Sequence, residues 1–192
     1  MILASKSPRR KEILEDFGFE IEIIAEDVVE ESSQIDSLLW AQDIALKKGR
    51  VVAEKNKERW VISADTVVVF NDEFLGKPKD KDEAKKVLEK LSGNTHEVVT
   101  AVAMMNLSQN IEFAFADVTE VKFKKLDSKE IEWYVESGEP MDKAGSYGIQ
   151  GKGSIFIEKI EGDFFNVMGF PISKFYDKLK ELGYSIEDLY KI

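Results

Sequence analysis

The segment Trp60-Val61-Ile62-Ser63-Ala64-Asp65-Thr66-Val67-Val68-Val69-Phe70 decides the fold class. Its β-branched and aromatic residues form the densest strand signature in the chain. Asp65 and Thr66 interrupt it with a carboxylate and a hydroxyl. A charge inside an apolar run is costly without a partner. Asp65 therefore reads in one of two ways. It is a functional carboxylate at the end or kink of a core strand, acting as general base or metal ligand, or it merely caps a strand that ends early.

Working outward, the N-terminal side begins with the short apolar run Met1–Ala4, a candidate buried strand. Ser7 suits a helix N-cap and Pro8 the first helical position. A helix is expected over Pro8–Phe17, burying Ile13 and Leu14 and stopping at Gly18. The alternation in Glu20–Ala25 predicts a half-buried strand. Leu39, Trp40, Ile44, Val51 and Val52 fall near a 3.6-residue period, so 36–55 should be a long surface helix. On the C-terminal side, Asn71-Asp72 is turn-like and Gly76-Lys77-Pro78 a rigid loop. Asp80 with Glu83, and Asp127 with Glu130, have capping-box spacing for helices running to Leu91 and Ser137. Thr95–Leu107 and Ile111–Phe123 read as strands, Glu139–Gly153 as a glycine-rich loop and Ile155–Ile160 as a strand. Gly162–Gly169 reads as a loop and Pro171–Leu182 as a long helix, before a short one near the C-terminus. Early alternation followed by clustered strands predicts an α/β domain with a mixed central sheet flanked by helices. No composition shift or linker divides the chain, so a single domain over 1–192 is expected.

The 192 residues carry 27 Lys+Arg against 37 Asp+Glu, a net charge of −10. That balance argues against broad nucleic-acid binding, which requires a basic face. Hydrophobic residues make up 43% of the chain, enough for a core, and no apolar run reaches membrane-spanning length. The charged residues close behind Met1 do not resemble a secretory leader, so a cytoplasmic protein is expected. There is no cysteine and one histidine. Thiolate chemistry and cysteine-ligated metals are excluded, and a histidine triad would depend on His96, which lacks a nucleophile-elbow context. His96 is better read as a structural hydrogen-bonding residue.

Of four arginines, Arg9 and Arg10 stand together in Ser5-Lys6-Ser7-Pro8-Arg9-Arg10, at a strand-to-helix turn. Unpaired helix N–H groups, hydroxyls and bidentate guanidinium groups make such a turn a candidate anion site. The alternative is an ordinary capped helix with solvated cations. Lys77 on its rigid turn could face a phosphate. Lys47-Lys48 would normally be a solvated face, and Glu30-Glu31 could supply oxygens to Mg²⁺. Gln150 lies among the small residues of 142–151 with an amide able to read a base edge. Together these are the parts needed to hold a magnesium-bound nucleotide polyphosphate.

In order along the chain, the motifs are Leu-Ala-Ser-Lys-Ser-Pro-Arg-Arg (3–10), Ala-Asp-Thr-Val-Val (64–68), Gly-Lys-Pro (76–78), Leu-Ser-Gly-Asn-Thr-His-Glu-Val-Val-Thr (91–100), Asp-Lys-Ala-Gly-Ser-Tyr-Gly-Ile-Gln-Gly (142–151) and Gly-Asp-Phe-Phe-Asn-Val-Met-Gly-Phe-Pro (162–171). As a set they resemble the Maf family of nucleoside triphosphate pyrophosphatases. The resemblance implies an elongated, two-lobed α/β domain with a cleft, similar to inosine triphosphate pyrophosphatases. It implies hydrolysis of a nucleoside triphosphate to monophosphate and pyrophosphate with a divalent cation, Mg²⁺ or Mn²⁺. Ser-Pro-Arg-Arg together with Ile-Gln-Gly resembles the branch acting on dTTP, UTP and related pyrimidine nucleotides. By position, Asp65 matches the family's proton acceptor. Arg9, Thr66 and Gln150 match its specificity positions, and Ser5, Arg10, Lys48 and Lys77 those around the phosphates. Asp65 and Glu31 match acidic positions suited to the metal. Gly49 follows Lys48 where the family more often has alanine, a departure that bears on the Lys48 assignment. Family members commonly form homodimers. The rival from another class is a non-catalytic nucleotide- or nucleic-acid-binding regulator of septum formation, for which Asp65 among phosphate-binding cations would have little use.

Overall fold

A computed structural model describes residues 1–185, 187 and 188. Its elements are β1 (Ile2–Leu3), α1 (Pro8–Asp16), β2 (Glu22–Ile23), α2 (Ser37–Ala53), β3 (Val61–Phe70), β4 (Glu73–Leu75) and α3 (Lys81–Leu91). There follow β5 (Thr95–Asn106), β6 (Ile111–Phe123), α4 (Ser128–Glu136), β7 (Ile157–Glu161), α5 (Phe164–Met168) and α6 (Ile172–Glu181). The seven strands form one mixed sheet in the order β2-β1-β3-β5-β6-β7, with β4 paired to β3. β1 runs parallel to both β2 and β3, whereas β4 is antiparallel to β3 and β7 to β6. The mixed α/β class expected from the sequence is the one observed.

Several local expectations are corrected. The strand expected over Glu20–Ala25 is only Glu22–Ile23, and both residues are exposed rather than half-buried. Phe164–Met168 is a short helix where a loop was expected. Glu73–Leu75 forms an unanticipated strand, because Asn71 and Asp72 both take positive φ and fold the chain into a tight hairpin. Ser7 holds the N-cap position of α1, but its side chain makes no capping bond. The Ser7 N–H is instead received by Ser5 Oγ at 3.2 Å. Asp127 and Glu130 complete a reciprocal capping box on α4. At α3 the pattern is displaced by one residue: Asp80 accepts from the Glu83 N–H, while Glu83 accepts from Lys79. The short C-terminal helix falls on positions mostly outside the described residues.

The chain divides into two compact units. The first comprises Met1–Asp65, Thr100–Asp117 and the chain from Gly169 onward; the second comprises Thr66–Val99 and Val118–Met168. In the first unit, Ile2 and Leu3 of β1, Ile13 and Leu14 of α1, Ile44 and Val52 of α2, Ile62 of β3 and Phe175 of α6 are all sealed from solvent. Each such aliphatic side chain contributes about 1.5–3 kcal/mol on burial. The second unit has its own core around Val68, Leu88, Val98, Phe123, Tyr134, Tyr147 and Phe156. There Phe123 and Tyr147 stack edge-on at 4.7 Å and Tyr134 and Phe156 at 5.1 Å. No helix among the described residues is long and apolar enough to cross a membrane.

Candidate active site

Parallel pairing of β1 with β3 fixes the first part of the site. The N–H of Ala4 reaches the Ile62 carbonyl at 2.7 Å, so Ser5 leaves β1 alongside the stretch of β3 that ends in Asp65. α1 starts immediately afterwards because Pro8 pre-sets the first helical φ. This brings Arg10 back over the same strand ends. Its Nη1 donates to Ser5 Oγ at 3.0 Å and to the Ala64 carbonyl at 2.7 Å, and its Nε donates to the Gly169 carbonyl at 2.9 Å. One guanidinium thus ties three chain segments together and sits immobilised next to Asp65. Burial pushes the Arg10 pKa down, and the field of Asp65 opposes that shift.

α2 supplies the second cation. Lys48 Nζ donates to Asp65 Oδ1 at 2.6 Å and lies 2.8 Å from Glu30 Oε1. The Asp65 and Lys48 side chains are 8% and 16% exposed, so this ion pair is well shielded from water. The close approach of α2 to β3 depends on Gly49. A Cβ there would lie 2.6 Å from Ser63 Oγ, which is itself bonded to the Ala45 carbonyl of α2. That gives the departure at Lys48-Gly49 a physical reason: the serine hydroxyl occupies the space an alanine methyl would need. Lys48 nevertheless reaches Asp65.

Ser5, Arg10, Lys48 and Asp65 are therefore brought together in the first unit. Arg9 is half-buried beside Arg10 in the first turn of α1, a turn that contains no acidic residue. Glu31 is exposed, and its backbone carbonyl accepts from Lys47 at 2.6 Å. The carboxylate that reaches Lys48 belongs to its neighbour Glu30, which the sequence offered only as half of an acidic pair. Thr66 follows Asp65 in β3 and opens the second unit. Lys77 and Gln150 both belong to the second unit and are exposed there. Their loops are joined by a bond from the Gly145 N–H to the Gly76 carbonyl at 3.1 Å.

His96 is buried in the second unit, with Nε2 2.8 Å from the Tyr147 hydroxyl and its ring edge-on to Phe123. Burial pushes its pKa down to about 4. It is a neutral structural residue, as expected.

Among the described residues no group of three or more His, Cys, Asp or Glu side chains is placed to hold a metal. Asp65 Oδ1 and Glu30 Oε1 do converge on a single ammonium group. Two hard oxygens around one cationic point suit Mg²⁺, which typically takes one or two carboxylates and fills its other positions with water and substrate phosphate.

The fold is a mixed-sheet α/β fold, and it carries a shielded carboxylate–lysine cluster beside an immobilised arginine. The chain is similar to the solved structure of the Staphylococcus aureus Ham1 protein, with a TM-score of 0.57 and 15% identity over 94% of this chain and 98% of that one. A family model described as Maf-like protein matches residues 1–182, and the chain belongs to the Maf family. It is 47% identical over 192 residues to a protein of Fusobacterium nucleatum subsp. nucleatum, covering 100% of both chains. It is 48% identical over 182 residues to one of Carboxydothermus hydrogenoformans, covering 95% of this chain and 98% of that one. It is 47% identical over 190 residues to one of Bacillus anthracis, covering 97% of both. All three relatives carry the name dTTP/UTP pyrophosphatase.

Proposed function

We propose that the chain is a nucleoside triphosphate pyrophosphatase, one catalytic domain over residues 1–192, hydrolysing dTTP, UTP and related pyrimidine nucleotides to the monophosphate and pyrophosphate. The observation that carries this reading is the shielded Asp65 carboxylate held by Lys48 beside the immobilised Arg10. A protein that only bound polyanions would gain nothing from a carboxylate in that position. The identity to the three pyrophosphatases supplies the reaction and the nucleotide class.

In this account Asp65 orients a water and accepts its proton as the water oxygen bonds to the α-phosphorus. The bond from that phosphorus to the bridging oxygen breaks, and pyrophosphate leaves with the electron pair. Arg10 and Lys48 offset the charge that develops, and the fixed guanidinium needs no rearrangement to do so. Ser5 adds a hydroxyl, and Lys77 is a further phosphate-binding residue. Asp65 and Glu30 would hold Mg²⁺ or Mn²⁺, with Glu30 taking the acidic role that position matching gave to Glu31. A divalent cation bound there supplies charge neutralisation on the polyphosphate and a template for its oxygens. Arg9, Thr66 and Gln150 discriminate among nucleotides. The same reading makes the protein a cytoplasmic homodimer of nucleotide metabolism, without a stable nucleic-acid or membrane partner.

A nucleotide panel tests this directly. Incubation with dTTP, UTP, CTP, GTP or ATP and Mg²⁺, followed by separation of products, should yield dTMP and UMP with stoichiometric pyrophosphate, and little from the purine nucleotides. Chelation of the metal should abolish turnover. Tight binding of dTTP without turnover would favour the regulator instead.

A further inference from the structure

Gln150 stands on a bight of chain, 148–153, whose shape is set from behind by a side chain remote from it in sequence. Glu139 Oε2 accepts from the Lys152 N–H at 3.0 Å, and Oε1 accepts from the Gly153 N–H at 3.1 Å. The fully buried Tyr134 donates its hydroxyl to the same Oε1 at 3.1 Å and accepts from the Gly148 N–H at 3.1 Å. The two ends of the bight therefore meet on one Tyr134–Glu139 pair. They also touch each other: a Cβ on Gly153 would lie 2.6 Å from the Gly148 carbonyl oxygen and 2.7 Å from the Tyr134 hydroxyl. Lys143 Nζ secures the Glu139 backbone by donating to its carbonyl at 2.7 Å. Burial works against the charge on Glu139. The N–H groups of Lys152 and Gly153, with the Tyr134 hydroxyl, outweigh it and hold the carboxyl below the ordinary glutamate value.

We propose that Glu139 is a positioning residue for nucleobase discrimination, its carboxylate holding 148–153 in the one conformation that presents Gln150 to the base. This rests on the reading that Gln150 recognises the base. Recognition by an amide depends on the direction of its donor and acceptor, so a small rotation of its backbone discards specificity before it discards catalysis. Glu139 touches neither the phosphates nor Asp65 in this scheme.

Glu139→Gln keeps the size of the side chain and puts an NH2 group against backbone N–H donors. Its ratio of kcat/KM for dTTP over GTP should fall about tenfold, chiefly through a higher KM for dTTP, with kcat for dTTP within about twofold of wild type. Tyr134→Phe, which removes only the hydroxyl, should move the ratio in the same direction by a smaller factor, and it decides the matter should Glu139→Gln fail to fold. A loss of kcat by one common factor for every nucleotide, with KM unchanged, would mean a merely structural role and overturn the proposal. Gln150→Ala separates the two readings. If it shifts the ratio while both other variants leave it unchanged, the positioning role alone is overturned. If it leaves the ratio unchanged, base reading by Gln150 fails, and the proposal with it.

Discussion

In the first unit, Lys48 holds both Asp65 and Glu30, and Arg10 is clamped by Ser5 and by backbone carbonyls of β3 and of Gly169. In the second, Lys77 and Gln150 are exposed, while Tyr134, Tyr147 and His96 are buried and Glu139 is part-buried. The first arrangement immobilises its charges in advance, the condition for electrostatic stabilisation without rearrangement. The second leaves Gln150 exposed on a backbone fixed from behind. On the proposed function the chemistry falls to the Asp65 cluster and base reading to Gln150, so substitutions at the two should fail in different ways.

The largest effect is expected at the carboxylate. Asp65→Asn should lower kcat by between about 10² and 10⁴-fold, the range for loss of a general base, with the dTTP:GTP preference retained. Single-turnover kinetics alongside a thermal melt would check this; near-normal turnover would remove Asp65 from the chemistry and dissolve the contrast.

A second effect belongs to the buried frame of the second unit and appears only in acid. His96 titrates near 6.5 when unfolded and near 4 when folded. Between those values the unfolded chain binds the extra proton, so stability falls as the pH drops through 6.5 and the loss is nearly complete at pH 4. The shift corresponds to about 3 kcal/mol. Urea midpoints at pH 7 and pH 4 should therefore separate less in His96→Gln than in wild type. Equal separations would show that His96 is not held neutral by the fold.

The smallest effect is the most specific. Gln150→Glu replaces an amide that both donates and accepts with a group that only accepts. Relative rates on dTTP and GTP should change by about tenfold while the melting temperature stays close to wild type. An unchanged preference would count against base reading by Gln150.

Much of the frame around these residues was legible in the sequence because it depends on local signals. The apolar period of α2, the reciprocal capping box at Asp127 and Glu130, and the dense strand around Asp65 each arise from neighbours within a few positions. The motif set also marked Ser5, Arg10 and Asp65, and position matching added Lys48. What escaped is set by distant partners. Ser7 holds the N-cap position without a side-chain capping bond, and its N–H goes to Ser5, which Arg10 also contacts. Glu22 and Ile23 alternate like a half-buried strand, yet both lie exposed. Glu30 and Glu31 are chemically equivalent in sequence, and only the path of the chain before α2 selects Glu30 for Lys48. Glu139 looked like one more acidic residue in a glycine-rich loop. Its role depends on Tyr134 and on three N–H groups of the bight that bears Gln150, which no periodicity encodes.

On the proposed function, the Asp65 cluster directs water to the α-phosphorus of a pyrimidine nucleoside triphosphate. Hydrolysis of dTTP in ¹⁸O-labelled water, with products resolved by phosphorus NMR, tests it most directly. The expected products are dTMP carrying the label and unlabelled pyrophosphate, formed by wild type and nearly lost in Asp65→Asn. Label in the pyrophosphate, or release of dTDP and inorganic phosphate, would contradict it.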